Sequence, residues 1–545
     1  MSPRRIVIVN LTRFGDLLQT SPAIAALRAS HPEAAITVVA EKNFADVCDG
    51  IPGVGRVHRL DLDRLGALLL EGGDALLESY RYVEDVLAEL RAERFELALN
   101  FSSSRMTAVF MGLLGVPDTR GWAMTPDGMR VIRHPWARLF ATMCLNRRVA
   151  TFNLVDYYRA MAGGGAGSRG LAYEVDAGAH AAAAGLLGAV AAGERVVALQ
   201  LGASRASRQW PAEAFAELAR RLTRSGHRVV LVGGGGDRPL ARAVGVAAGG
   251  GVVDACGCTN VAELGALLAR ADALVTGDTG PMHMAVAVGT PVVALFFGPA
   301  SPFDTGPYGS DHVLLHTGAP CAPCNHTVTC LNPFCRDEIT PELVERAVRA
   351  RLARDWNALA AAARAEDRVR VYRTGFDAQG LHRCEAVGAP PKRREDALRW
   401  AYRATWMAEL LGVAPPAARA TGLDTAGFAA LAALAHQGVA LGGRLAAAAA
   451  GADPALAEIE RLGREIEILD QTLAVHGHTH DETEVLTQMF RFGKENLEGD
   501  DVPALAGEIE RLYRSLAFEA ELMSGLLDGR VGRERTSDAD LHQRP

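Results

Sequence analysis

Lysine is nearly missing from this 545-residue chain: Lys42, Lys392 and Lys494 are its only three, while arginine is abundant. With such a bias, an arginine at any single position carries no message about having been chosen over lysine. The chain also lacks a strong charge of one sign. Its 57 basic and 64 acidic side chains leave a net charge of −7, which excludes a general attraction to nucleic acid or an anionic membrane and leaves only local contacts. No long apolar run opens it: Met1-Ser2-Pro3-Arg4-Arg5 leads into only Ile6-Val7-Ile8-Val9, too short for a signal peptide or a membrane span, so the run reads as a first buried strand. The alanine-rich stretch from about Ala426 to Ala450 is interrupted by His436, Gln437 and Arg444, and a cytoplasmic protein is expected. No repeat of fixed period is present.

What the sequence does contain is an ordinary globular composition, 49% hydrophobic and 22% charged, at a length that suggests about three domains. Up to about residue 155, short Val/Ile strands alternate with amphipathic helices: Arg5 to Asn10, a helix from about Asp16 to Ser30, Ile36 to Ala40, and Leu97 to Phe101. This alternation predicts a parallel sheet covered on both faces. Gly163 to Gly170 reads as a connection, with a strand-like Leu171 to Val175. A second series follows, with strands at Val196 to Leu201, Arg228 to Val232, Val252 to Asp254, Ala273 to Thr276 and Val292 to Phe296. Two such halves predict the two-Rossmann architecture called GT-B, with ligands at the carboxyl ends of the strands. Pro341 to about Leu359 is expected as a helix crossing back to the first half, and Val369 to Val387 as a short hairpin around Gly375 and Gly380. Beyond residue 391, Ala/Leu/Glu/Arg-rich helices dominate. Leu456 to Leu473 and Ala504 to Leu527 show the three-four spacing of packed helices. The expected domains are therefore 1–165, 190–340, a connection at 341–390, a helical appendage at 391–530 and a disordered tail at 531–545.

The run Val275-Thr276-Gly277-Asp278-Thr279-Gly280-Pro281-Met282-His283 leaves a strand, turns, and enters a helix. Unsatisfied N–H groups and the positive end of the helix dipole make such a turn a place for a diphosphate. By itself the turn is also compatible with a structural cap. Three other motifs accompany it: Leu11-Thr12-Arg13-Phe14-Gly15-Asp16-Leu17-Leu18-Gln19-Thr20-Ser21-Pro22; Leu201-Gly202-Ala203-Ser204 with Arg208-Gln209-Trp210-Pro211; and Gly233-Gly234-Gly235-Gly236-Asp237. In order and spacing, the four motifs across residues 4 to 350 resemble glycosyltransferase family 9, the ADP-heptose:lipopolysaccharide heptosyltransferases and their relatives. The helical appendage lies outside the resemblance.

The resemblance implies an inverting transfer without a metal, in which a base takes the acceptor hydroxyl proton and positive groups stabilise departing ADP. Asp16 matches the family's base; it could equally be a helix-cap carboxylate, and the two roles are compatible. Ser204, Arg208, Asp237, Asp278, Thr279, Gly280 and His283 match donor-binding positions. Arg208 stands where relatives usually carry Lys, and Ala203 replaces a hydroxyl residue often found there. Trp210 is expected to pack rather than to touch ligand, and a structural role for His283 stays open. Arg13, Arg133 and Arg138 are candidates for an anionic, lipid-linked oligosaccharide acceptor, and the segment around the last two could also meet the inner membrane surface. The rival readings are a protein acceptor, another nucleotide sugar, and a degenerate GT-B scaffold whose helices do the work; a homo-oligomer through the appendage is also open.

Cys321, Cys324, Cys330 and Cys335 are close enough in sequence for one thiolate site that could hold structural zinc or iron, as a related group of protein heptosyltransferases holds iron; free thiols and a disulfide are the alternatives. His476, His478 and His480 with Asp481 look metal-like, but only the first and third share a helix face, so a solvated helix end is expected.

Overall fold

Short runs of β-branched and aliphatic residues buried on both faces are the sequence's strongest structural statement, and each becomes the centre of a parallel strand. The computed structural model describes residues 4–164, 170–325, 329–388, 393–450 and 455–530. These fall into two compact units: Met1–Arg130 with Phe152–Pro391, and Val131–Thr151 with Lys392–Pro545.

The first unit holds two sheets. In the first, β1 (Arg5–Asn10) pairs in parallel with β2 (Ala35–Glu41) and β4 (Leu97–Asn100), β2 with β3 (Arg56–Leu60), and β4 with β5 (Asp118–Met124). Ile6 to Val9 are fully buried at its centre. From this sheet β6 (Arg130–Arg133) carries the chain towards the second unit.

The second sheet is built from β7 (Val196–Gln200), β8 (Arg228–Val232), β9 (Val252–Asp254), β10 (Ala273–Gly277), β11 (Val292–Phe296), β12 (Val313–Thr317), β13 (Val369–Phe376) and β14 (His382–Ala386). Its order is β14-β13-β12-β11-β10-β7-β8-β9, parallel except for the hairpin β13–β14, which adds two antiparallel strands at one edge. The two Rossmann-like halves give the GT-B architecture, accompanied by a helical C-terminal region.

Three local expectations are revised. The helix after Thr340 breaks at Arg354, which adopts φ +53, into Pro341–Ala353 and Trp356–Arg364. Rather than crossing to the first half, it stays on the second, because Leu343, Val344, Ala347 and Val348 join that half's core and Arg221 pairs with Glu342 and Glu345. Leu171 to Val175 is not a strand: its Tyr173 ring packs on Gly50 and the Glu174 N–H reaches the Gly50 carbonyl at 2.8 Å, so its polar groups are satisfied without a sheet partner.

The second unit is helical. Helices Arg394–Leu411, Ala426–Ala449, Leu456–Thr479, Glu484–Glu495 and Val502–Asp528 surround Tyr402, Trp406, Phe428 and Tyr513, all fully buried. Ala426–Ala449 is long and apolar enough to cross a membrane, yet it packs lengthwise on Val502–Asp528: a Cβ at Gly438 would collide with the Tyr513 ring, and one at Gly442 with Glu510. Residues 131–151, expected inside the first domain, belong with these helices. The helix Pro135–Leu145 is fixed there by Asn146 Nδ2 donating to Gln488 Oε1 (2.9 Å), the Ile132 N–H donating to Asn496, and Arg403 donating to the Thr151 carbonyl (2.7 Å). The proposed tail 531–545 lies outside the described residues.

Candidate active site

Asp16 sits where β1 ends and the short helix Phe14–Leu18 begins. Its carboxylate accepts from the Arg13 backbone N–H at 3.3 Å, the reciprocal half of a capping box, while Gln19 Nε2 approaches the other oxygen at 3.5 Å. The helix-cap role read from the sequence is thus present. The carboxyl lies deep below the surrounding surface, and burial pushes its pKa from 3.8 up to about 6; the Arg13 N–H pulls it down and the nearby Asp278 carboxylate pushes it up. A carboxylate so poised is a proton acceptor near neutral pH.

Opposite it stands the turn that follows β10. Thr279 is the N-cap of the helix Gly280–Ala287, with Pro281 in the first turn, where a missing N–H costs nothing. Gly280 has to be glycine because the Phe14 ring lies against it: a Cβ there would meet Phe14 Cε1 and Cδ1. Gly15 has a matching constraint, since its Cβ would lie 3.0 Å from both Gly280 Cα and His283 Cδ2. The Asp16 turn and the Asp278–His283 turn therefore touch through two glycines, and this brings Asp16 beside the N-terminus of the helix Gly280–Ala287. His283 is buried, and that burial lowers its pKa to about 4, so the ring is neutral. Among the described residues its Nδ1 has no protein partner.

Arg208, at the end of the 3-10 turn Ala206–Arg208, donates from Nη2 to Asp278 Oδ2 at 2.7 Å. The pair is partly buried, so it is a positioned cation and not a loose surface contact. At the floor, Gln200 connects the turns after β7 and β10, a role that sequence reading missed. The only signal was a polar residue closing the apolar run Val196-Val197-Ala198-Leu199.

Past β7 and β8, Gly202 and Gly233 flank the Asp237 carboxylate, which would occupy the space of a Cβ on either glycine. Asp237 Oδ2 accepts from the Gly234 N–H at 2.8 Å, so this side chain shapes the glycine turn. Ser204 is exposed at the mouth of the preceding turn. Trp210 packs, as expected: it is 2% exposed, donates to the Ile339 carbonyl at 3.0 Å, and stands edge-on to Phe215.

Against this geometry the comparisons are specific. Residues 84–334 match the family model described as Glycosyltransferase family 9 (heptosyltransferase). That stretch of the chain resembles glycosyltransferase family 9. It is 28% identical over 326 residues, 59% of its own length and 86% of the relative's, to lipopolysaccharide heptosyltransferase 1 of Pseudomonas aeruginosa. It is 23% identical over 292 residues, 52% of its own length and 79% of the relative's, to lipopolysaccharide heptosyltransferase 3 of Escherichia coli K12. A glycosyl transferase family 9 crystal structure from Veillonella parvula aligns with a TM-score of 0.52 at 22% identity, covering 65% of this chain and 99% of that one, which supports the fold. The chain is accordingly a glycosyltransferase.

Arg133 and Arg138 belong to the second unit, where Arg133 makes a two-pronged contact with Glu498 (3.2 and 2.9 Å); Arg13, in the first unit, is exposed at the N-cap of the Asp16 helix. Cys321, Cys324, Cys330 and Cys335 are not joined in disulfides, and burial with the three other sulfurs nearby pushes the Cys335 thiol up. Among the described residues no three His, Cys, Asp or Glu side chains are grouped to hold a metal ion. Within the second unit, His476 Nε2 donates to the Gly427 carbonyl (2.9 Å), and His480 faces Glu482 at 3.6 Å, which makes the histidine run part of a helix end.

Proposed function

We propose that this protein transfers a heptose from ADP-heptose to a hydroxyl of a lipopolysaccharide-core precursor, with inversion at the sugar's anomeric carbon and Asp16 as general base. The acceptor oxygen forms a bond to the anomeric carbon as the bond from that carbon to the diphosphate oxygen breaks. The acceptor's hydroxyl proton passes to Asp16, and the electron pair leaves with ADP. Arg208 and the backbone N–H groups of Thr279 and Gly280 receive the charge that develops on the leaving diphosphate. Asp278 orients Arg208; Ser204, Asp237 and His283 complete the donor side. In this reading no metal takes part in the step, and the enzyme works at the cytoplasmic face of the inner membrane, where its lipid-linked acceptor is exposed.

The observation that carries the reading is the juxtaposition of a carboxyl with a pKa near 6 and a helix N-terminus bearing Arg208 beside it. The names of the heptosyltransferase relatives support the sugar. Calorimetric titration with ADP-heptose, UDP-sugars and GDP-sugars tests the donor. Selective binding of ADP-heptose that weakens in Arg208→Ala is expected; preference for a uridine or guanosine donor would overturn it.

A further inference from the structure

Gln200 closes β7 with its side chain only 5% exposed, at the point where the strand hands over to the Gly202–Arg208 turn. Its Nε2 donates to the Gly202 carbonyl at 2.7 Å. Its Oε1 accepts from the Thr279 hydroxyl at 3.1 Å and lies 3.2 Å from the Thr276 hydroxyl, which also reaches the Gly277 carbonyl at 2.9 Å. The two threonine oxygens are themselves 3.0 Å apart. One amide thus ties the turn after β7 to the turn after β10, and no other side-chain type of this size supplies an acceptor for a hydroxyl and a donor for a carbonyl without bringing a charge.

We propose that Gln200 is a positioning residue for the donor diphosphate, an inference that rests on the donor reading above. A threonine hydroxyl has one proton, and that of Thr279 is spent inside the protein, on Gln200 or on the Thr276 hydroxyl. Thr279 therefore serves the donor through its backbone N–H, at the N-cap, and its side chain sets the direction of that N–H. The other end of the Gln200 amide fixes Gly202, from which the chain runs through Ser204 to Arg208. Gln200 thereby sets the spacing between the two groups of donors that meet the diphosphate: Thr279 and Gly280 on one side, and Arg208 with Ser204 on the other. Replacing it with leucine leaves the Thr279 hydroxyl and the Gly202 carbonyl without this partner. Replacing it with glutamate keeps the acceptor but sets a carboxylate oxygen against the Gly202 carbonyl.

The test is calorimetric ADP affinity together with donor and acceptor KM and kcat for the full chain as wild type, Gln200→Leu, Gln200→Glu and Thr290→Val. Thr290 is a buried hydroxyl in the same half that donates to the Leu268 carbonyl at 2.6 Å, and it serves as the control for simple loss of an internal hydrogen bond. Gln200→Leu is expected to weaken ADP binding and raise donor KM about tenfold, the loss of one well-placed hydrogen bond's discrimination, with acceptor KM unchanged. Gln200→Glu is expected to weaken ADP as well, and Thr290→Val to lower Tm while keeping ADP affinity. ADP affinity of Gln200→Leu within twofold of wild type overturns the proposal and leaves the donor reading intact, as does an equal loss in Thr290→Val. Should Gln200→Leu not fold, Thr276→Val removes one of the two hydroxyls beside the Gln200 Oε1: weakened ADP binding is the expected result, and unchanged binding overturns the proposal. A wild-type protein that does not bind ADP overturns both readings together.

Discussion

The Arg208 guanidinium donates to the Asp278 carboxylate at 2.7 Å in the first unit, so the cation beside the turn after β10 is held by an anion one residue before that turn's N-cap. The consequence is a pair whose members fail differently. Arg208→Ala removes the positive charge that lies against Asp278, itself close to Asp16, so donor KM should rise and kcat should fall, together about 10²-fold in kcat/KM. Arg208→Lys keeps the charge but loses the planar fork, and should retain a larger share of activity. Steady-state kinetics with varied donor separates the two.

Phe14 lying on Gly280 makes a second pair testable by a double mutant. Gly280→Ala puts a methyl into the Phe14 ring, and overpacking of this kind costs about 1–3 kcal/mol. Thermal unfolding should show the loss, and transfer activity should fall with it. Adding Phe14→Ala should restore much of the stability, because the collision is then removed; a double mutant no more stable than the sum of the singles would contradict the contact.

The Asp16 carboxyl also has a sign in stability. Its folded-state pKa is about 6 against an ordinary carboxyl value of 3.8, so the folded protein holds the proton more tightly, and Asp16 costs stability as pH rises from about 4 through about 6. Asp16→Asn should therefore raise Tm at pH 8, by an amount on the order of 1 °C, and have no such effect at pH 4. Thermal scans at the two pH values check the difference.

Glu519 poses the same question in the helical unit. It is 5% exposed, and burial followed by the neighbouring Glu409 raises its pKa well above 4.5. The folded state again binds the extra proton, so the unit should lose stability as pH rises above 4.5, and Glu519→Gln should stabilise it at neutral and higher pH. Denaturant unfolding followed by helical circular dichroism at pH 5 and pH 8 measures this: the gain from Glu519→Gln should be larger at pH 8.

Much of this was legible in the sequence because parallel strands buried on both faces announce themselves as short apolar runs: Ile6 to Val9, Val196 to Leu199 and Val292 to Phe296 all sit in sheet centres. The site motifs were legible for a related reason, since glycines forced by close approach, such as Gly15 and Gly280, stand next to the groups they admit. What was hidden depended on distant partners. Arg354 in a left-handed conformation breaks a helix whose periodicity continues through it. Val131–Thr151 carries the pattern of any amphipathic segment, and only its pairing with Gln488, Asn496 and Glu498 assigns it to the helical unit. Gln200 was invisible because its three partners lie on two turns separated by more than seventy positions.

The measurement that tests the central claim most directly is the pH dependence of transfer from ADP-heptose to a lipid A-linked acceptor, for wild type and Asp16→Asn, with donor affinity measured in parallel. Wild-type kcat/KM should fall about tenfold per pH unit below about 6, the pKa to which burial raises Asp16. Asp16→Asn should bind the donor as tightly as wild type and turn it over about 10²- to 10⁴-fold more slowly, without that acidic limb. An Asp16→Asn protein that transfers heptose at the wild-type rate with the same pH profile would contradict Asp16 as the base.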